Sequence, residues 1–168
     1  FCSDNGPSYI HDFNSAGPFR GKKSELFEGG LRVPAIVEWP GTLKGGRSLA
    51  SPMSTSDFYP TLLKAAGVRL HDRQPALDGE DVRPLLIGET QKRSRPIAFQ
   101  APVKKKNDYG AEVGSLQIAL SGERYKLLSM NGGKNWKLFD LEADAGETTD
   151  VASKHPDIAK TMRRGVEQ

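Results

Sequence analysis

Residues 115–141 read SLQIALSGERYKLLSMNGGKNWKLFDL, a run of short apolar segments separated by turn residues. The segments are Ser115–Leu120, Arg124–Met130 and Trp136–Leu141, each of a length typical of a β-strand. Ser121-Gly122-Glu123 and the glycine-containing stretch 131–135 are suited to tight connections between antiparallel strands. The pattern therefore predicts consecutive β-hairpins in this part of the chain.

Segments on either side extend this prediction. Pro96–Gln100 has the composition of a fourth strand, and His155-Pro156-Asp157 is a helix start with proline at the first helical position. Ile158, Met162 and Val166 then recur at the spacing of one helix face. We therefore predict that residues 91–168 form a small C-terminal subdomain, with a four-stranded antiparallel sheet and a terminal helix.

The first half of the chain has α/β character. Val33–Trp39 is a compact apolar run with proline at both ends, which predicts a buried strand. A helix is predicted from the N-cap Ser56 to Gly67, with an apolar stripe, and a second, short helix at Val82–Ile87 after the capping residue Asp81. The stripe consists of Phe58, Leu62, Leu63 and Ala66. The predicted fold class is α/β, or α+β for this chain alone, with residues 1–90 at the end of a larger α/β sheet domain.

Composition excludes several classes of protein. The chain has 168 residues, with 24 Lys and Arg against 21 Asp and Glu, and a net charge of +3. Because these charges are interspersed, a mixed solvated surface is expected and a nucleic-acid partner is not. No stretch approaches the ~20 apolar residues of a membrane-spanning helix. A single cysteine, Cys2, excludes a disulfide framework and leaves the cellular compartment open.

The N-terminal residues predict a structural boundary. Phe1 and Cys2 have the character of a strand end, and Asp4-Asn5-Gly6-Pro7 is a strong turn cluster. Since a domain rarely begins on the last residues of a strand, we expect this chain to be part of a longer protein. The following residues up to Gly30 predict a long loop, of the kind that is often functional.

The first candidate site is the turn that contains Asp4 and Asn5. A carboxylate and an amide oxygen side by side suit hard cations, which prefer oxygen ligands. Two ligands are too few for a complete calcium or magnesium site, and Asp-Asn-Gly is also an ordinary turn sequence. Both interpretations remain open from the residues alone.

The second candidate lies in the long loop, at Arg20-Gly21-Lys22-Lys23. Basic side chains in a glycine-containing loop can hold an oxyanion, although they can also form a solvated surface. His11 in the same loop is a candidate substrate contact. Further along, the paired glycines Gly29-Gly30 predict a close backbone approach, and Arg32 is expected to hold a carboxylate. No motif of an activated serine or cysteine nucleophile is found.

Taken in order, these segments resemble the sulfatases of the alkaline-phosphatase-like superfamily. The matching segments, from first to last, are Ser3–Gly6, Phe19–Lys23, Phe27–Ala35, Trp39–Gly41, Ser56–Leu63, Asp78–Asp81, Pro84–Leu86, Tyr125–Leu127 and Leu138–Ala152. Each segment is short, but together they cover nearly the whole chain.

The resemblance implies roles for particular residues. Asp4 and Asn5 correspond to ligands of a divalent cation, usually calcium, and Lys23 corresponds to the lysine that contacts the substrate sulfate. The family's nucleophile, a formylglycine made within a Cys/Ser-x-Pro/Ala-x-Arg motif, has no counterpart in this sequence. The remaining metal ligands and the catalytic histidines lie upstream in the family, so the missing N-terminal part of the same protein is an expected partner.

Three functions are therefore considered. In the first, this chain is the C-terminal part of a sulfuric ester hydrolase that acts on a sulfate ester, such as a sulfated carbohydrate, and is inactive alone. In the second, the parent is a phosphodiesterase or phosphonate hydrolase of the same superfamily. In the third, the chain is a non-catalytic module that binds sulfated polymers through its basic loops.

Overall fold

A computed structural model describes residues 1–8, 16–71, 73–104 and 109–167 of the chain. Its elements in chain order are α1 Glu28–Leu31, a 3-10 helix at Thr55–Asp57, α2 Phe58–Ala65, α3 Arg83–Ile87, β1 Ile97–Pro102, β2 Leu116–Ser121, β3 Tyr125–Ser129, β4 Lys137–Asp140 and α4 Pro156–Val166. The predicted fold class, with its four-stranded sheet and terminal helix, is confirmed. In the described parts of the chain, no helix has the length and apolar character needed to cross a membrane.

The four strands form one sheet in the order β1-β2-β3-β4. β3 is antiparallel to both β2 and β4, and its residue Lys126 lies opposite Ser121 on one side and Phe139 on the other. Gly122 closes the first hairpin by donating its N–H to the Tyr125 carbonyl at 2.9 Å. The connectors predicted from glycine content therefore join neighbouring strands, as hairpins require.

The hydrophobic core joins the sheet to a segment far away in sequence. Ala119, Leu128 and Phe139 from β2, β3 and β4 are buried together with Leu26 and Phe27. The segment that precedes α1 is thus packed on the sheet by apolar contacts. α4 also packs on β2 and β3, although none of its residues is fully buried.

The chain divides into two compact units. The first consists of Phe1–Ile36 together with Ala98–Gln168, and the second of Val37–Ile97. Both candidate loops and the strands β2, β3 and β4 belong to the first unit. The predicted division into residues 1–90 and 91–168 concerns the domains of the whole protein, and it stays a prediction.

The predicted buried strand at Val33–Trp39 is wrong for this chain. The segment makes one antiparallel bridge, between Cys2 and Ala35, and Ile36 and Val37 are 65% and 49% exposed. An apolar run becomes a buried strand only where neighbouring elements cover it. Among the described residues, no second strand or helix supplies that cover.

The apolar stripe of α2 is also not a core face within this chain. Phe58 and Leu62 are 44% and 66% exposed, whereas Thr61 on another face is buried. Thr61 is held there because its hydroxyl accepts the Val82 N–H at 3.0 Å. Hydrogen bonds to the 79–82 segment, and not the apolar stripe, therefore decide which face of α2 is covered.

Candidate functional site

The two candidate loops lie against each other. The Gly6 N–H donates to the Gly30 carbonyl at 3.1 Å, and the Lys23 N–H donates to the Pro7 carbonyl at 2.9 Å. These bonds connect the turn that carries Asp4 and Asn5 with the loop that carries Lys23. The structure therefore places both sets of predicted site residues in one cluster, which we call the loop pair and define as residues 3–7 and 20–31.

The loop pair depends on glycines at its closest backbone contacts. A Cβ on Gly6 would lie 2.0 Å from the Gly29 carbonyl oxygen, and one on Gly30 would lie 2.1 Å from that of Glu25. Gly29 in turn donates its N–H to the Arg20 carbonyl at 2.6 Å. The close backbone approach that was predicted at Gly29-Gly30 is thus an approach between two backbone segments of this chain.

The Asp4 turn offers hard oxygen donors. Asp4 is exposed and Asn5 is half-buried, and the Asn5 side-chain amide donates to the Gly6 carbonyl at 3.0 Å. That bond engages Nδ2, which leaves the amide oxygen to act as the ligand atom. Carboxylate and amide oxygens fit calcium in chemical type. Within the described residues, no group of three or more His, Cys, Asp or Glu side chains is placed to hold a metal ion.

The basic residues of the loop point to different roles. Lys23 is exposed, whereas Lys22 is half-buried. Arg20 is held by the protein itself: its guanidinium donates to the Glu147 carbonyl at 3.0 Å and to the Tyr109 hydroxyl at 3.1 Å, and lies 4.2 Å from the centre of the Phe27 ring. Arg20 therefore anchors the loop, and Lys23 has the more accessible ammonium. His11 lies outside the described residues.

A buried charge cluster lies beneath the loop pair and was not predicted. The Lys126 ammonium lies 2.9 Å from Glu28 Oε1 and 3.0 Å from Glu147 Oε1, and the Lys126 and Glu147 side chains are fully buried. Glu147 Oε2 accepts the Glu28 N–H at 2.5 Å. These three residues, Glu28, Lys126 and Glu147, are called the buried triad below.

Arg32 supplies a second positive charge to this region. Its Nε lies 3.6 Å from Glu28 Oε2, so two cations face two carboxylates. This contact is of the kind expected for Arg32. Burial raises the pKa of Glu147, against the opposing attraction of Lys126. One signal in the sequence could have indicated the triad: Lys126 is a charged residue between Tyr125 and Leu127 in a predicted strand.

Comparisons with known proteins give the family of this chain. Residues 20–168 match the family described as N-sulphoglucosamine sulphohydrolase, C-terminal. The chain therefore belongs to the sulfatase family, within the alkaline-phosphatase-like superfamily, and corresponds to a C-terminal domain of that family.

Several relatives cover nearly all of the chain, and two of them are described here. It is 39% identical over 175 residues to the N-acetylgalactosamine-6-sulfatase of Canis lupus familiaris, covering 98% of this chain and 31% of the relative. It is 30% identical over 188 residues to the arylsulfatase G of Rattus norvegicus, covering 96% of this chain and 34% of the relative. The chain thus spans about a third of the length of these sulfatases.

A solved structure shows the same fold. Ps i-CgsB, crystallised in complex with k-i-k-neocarrahexaose, superposes with a TM-score of 0.83 at 30% sequence identity. The match covers 99% of this chain and 35% of that protein. The loop pair and the sheet therefore belong to an arrangement that occurs within a larger molecule.

Proposed function

We propose that this chain is the C-terminal part of a sulfuric ester hydrolase and contributes one side of its active site. The observation that carries the proposal is the loop pair, in which hydrogen bonds from Gly6 and Lys23 bring the Asp4 turn and the Lys23 loop together. The match to the sulfatase family supplies the reaction class.

In this proposal Asp4 and Asn5 are calcium ligands, and Lys23 binds the sulfate group of the substrate. Calcium, when bound, supplies positive charge to an oxyanion. The exposed Lys23 ammonium donates hydrogen bonds to sulfuryl oxygens, whose charge changes as the ester S–O bond breaks. Since Lys23 is tied by its backbone to Pro7, its position relative to the Asp4 turn is held by the fold.

The nucleophile and the remaining metal ligands are proposed to lie outside this chain. The sequence has no Cys/Ser-x-Pro/Ala-x-Arg motif from which formylglycine is made. Charge stabilisation by Lys23 without a nucleophile has no covalent step to assist. The 168-residue chain by itself is therefore proposed to be inactive.

The proposed substrate class is a sulfated carbohydrate. Among the relatives that match nearly the whole chain is an N-acetylgalactosamine-6-sulfatase, and the similar structure Ps i-CgsB was solved with k-i-k-neocarrahexaose. These are properties of those proteins, and they support the same class here. Steady-state assays of the full-length protein on sulfated sugars and on a simple aryl sulfate will compare these two classes of substrate.

Replacing Lys23 in the full-length protein tests the role of its ammonium. Lys23→Ala is expected to lower kcat by about a hundredfold or more, on the scale of losing one oxyanion-stabilising donor. Lys22→Ala is the matched control and is expected to have a much smaller effect. Both variants are assayed on one sulfate ester, with thermal melts to check folding. A larger loss for Lys22→Ala, or no loss in either variant, would contradict the assignment.

A further inference from the structure

The buried triad joins the sheet to the loop pair at one point. Lys126 is in β3, in the middle of the sheet, and its side chain is among the largest that are fully buried. Its ammonium faces Glu28, the first residue of α1, and Glu147, which follows β4. Three segments that are distant in sequence therefore meet at one ammonium group.

Glu147 holds the loop at both of its ends. Its carboxylate accepts the N–H of Glu28 at the end of the loop, and its backbone carbonyl accepts a hydrogen bond from Arg20 at the beginning. Lys22 and Lys23 lie between these two anchors. The position of Glu147 itself depends on Lys126, because the ammonium is the one cation within 4.0 Å of its carboxylate in the described parts of the chain.

The Asp4 turn depends on the same anchors. Gly6 donates to the carbonyl of Gly30, which lies in α1, two residues after Glu28. A shift of α1 would therefore move the partner of the Asp4 turn, and a shift of Arg20 would move the loop that carries Lys23. The Asp4 turn and the Lys23 loop are therefore each connected to the triad through a short series of hydrogen-bonded groups.

Stability alone is a weak explanation for such a triad. Desolvating three charged groups is costly, and well-packed apolar residues of similar volume are often as stable or more so. The hydrogen bond from the ammonium to Glu28 and its ion pair with Glu147 do, however, define a geometry that apolar packing leaves looser. The arrangement thus suits a role in positioning.

We infer that Lys126, with Glu28 and Glu147, positions Lys23 and the Asp4 turn for the reaction. Lys126 is a positioning residue and touches no substrate, because its side chain is fully buried. The inference rests on the proposed function for what the loop pair does. Its structural part, that the triad holds the loop pair in place, is measurable without any substrate.

The test uses the full-length protein and a charge-balanced variant, Lys126→Met/Glu147→Gln. This change removes one cation and one anion and leaves Glu28 its contact with Arg32. We expect kcat on a sulfate ester to fall at least tenfold with a smaller change in KM. Hydrogen exchange of the peptides 3–8 and 20–27, which contain the Gly6 and Lys23 amides, should become at least tenfold faster. The urea midpoint should change little.

Three further variants make the result specific. Glu147→Ala keeps the pair of Lys126 and Glu28, and it tests the same effect if the double variant does not fold. Glu147→Gln retains an oxygen that can accept the Glu28 N–H but loses the ion pair with Lys126, and it is expected to lower kcat less than Glu147→Ala does. Arg124→Gln removes a half-exposed partner of Asp140 in the same sheet, and should change neither kcat nor exchange in the loop pair.

The outcomes separate the two proposals. Faster exchange in the loop pair together with a lower kcat supports the inference. Unchanged exchange in a folded double variant, or in folded Glu147→Ala, overturns it whatever the kinetics show. If the wild-type protein hydrolyses no sulfate ester, the proposed function fails, while the exchange measurement still decides whether the triad holds the loops.

Discussion

Single residues decide how closely the backbone segments of the loop pair can approach. Gly6 and Gly30 stand where any Cβ would overlap a carbonyl oxygen of a neighbouring segment. Backbone groups cannot move aside as a flexible side chain can, so a larger residue must displace a whole segment. The geometry of the loop pair therefore requires that these two residues have no Cβ.

Gly30→Ala should destabilise the protein by about 2 kcal/mol or more, within the range of overpacking. Its Cβ would lie 2.1 Å from the Glu25 carbonyl oxygen. Gly45→Ala is the matched control, because a Cβ there meets nothing within 4 Å, and its effect should be within about 0.5 kcal/mol. Urea unfolding measures both variants, and equal midpoints would contradict the steric argument.

The buried carboxylate of Glu147 predicts an unusual pH dependence. Because burial raises its pKa above the ordinary value of 4.5, the folded state binds the proton more strongly than the unfolded state. Its contribution to stability therefore falls as the pH rises from about 4.5 through the folded-state pKa. Gln at this position carries no such charge.

We therefore expect Glu147→Gln to be more favourable, relative to wild type, at pH 7 than at pH 4. Urea unfolding of both proteins at the two pH values gives this difference. If Glu147→Gln instead gains stability relative to wild type as the pH falls from 7 to 4, then Lys126 compensates fully for the burial of Glu147.

At the scale of elements, Asp57 joins three segments within the unit Val37–Ile97. It accepts the N–H groups of Ser54 at 2.7 Å and Glu80 at 2.9 Å, and lies 3.0 Å from the Arg93 guanidinium. Burial alone would raise the pKa of Asp57, but the hydrogen bonds from Arg93 and the two amides outweigh it, so the pKa is lowered. The start of α2 is thus held by a charged side chain.

Asp57→Asn should destabilise the protein by about 3 kcal/mol at pH 7, as expected when one member of a buried pair is removed. Because the folded-state pKa of Asp57 is lowered, the stability it contributes is present above about pH 3.8 and is lost as the pH falls through the folded-state value. Asp81→Asn, which breaks a more exposed pair with Arg83, should cost no more than about 1 kcal/mol. Urea unfolding at pH 7 and pH 3 tests both, and a similar cost for the two variants would contradict the argument.

For the full protein, the proposed calcium site would be incomplete within this chain. Asp4 and Asn5 supply two or three oxygens, whereas calcium takes about six to eight. The chain also spans about a third of the length of the relatives that match nearly all of it. The whole site is therefore expected to require residues from the rest of the protein.

The 168-residue chain alone should bind calcium with a Kd above about 1 mM, weaker than typical calcium modules. The full-length protein should bind at least a hundredfold more tightly. Calorimetry on both proteins provides the comparison, with Asp4→Ala in the full-length protein as a control that should lose most of the affinity. Tight stoichiometric binding by the chain alone would show that it holds a complete site.

The same incompleteness predicts that the purified chain does not hydrolyse an aryl sulfate. The comparison is with a heat-treated sample of the same chain, since a contaminating hydrolase would be inactivated by heating. Turnover above that background would contradict the proposal that the nucleophile lies outside these residues.

Local features of the sequence were enough to predict the sheet and the terminal helix. The strands begin and end within two residues of the predicted bounds, because apolar runs of four to seven residues and glycine turns act over short distances. The order of the motifs was likewise enough to indicate the sulfatase family. The bounds of the strands and of the terminal helix depend on residues that are neighbours in the chain.

Tertiary structure alone decided which side chains are buried. The apolar run Val33–Trp39 is largely exposed, and the charged Lys126 is fully buried, although hydropathy predicts the reverse. It also decided that the Asp4 turn and the Lys23 loop lie together, through bonds between residues 16 and 24 positions apart. Burial and pairing depend on what packs against a segment, and those partners come from distant parts of the chain.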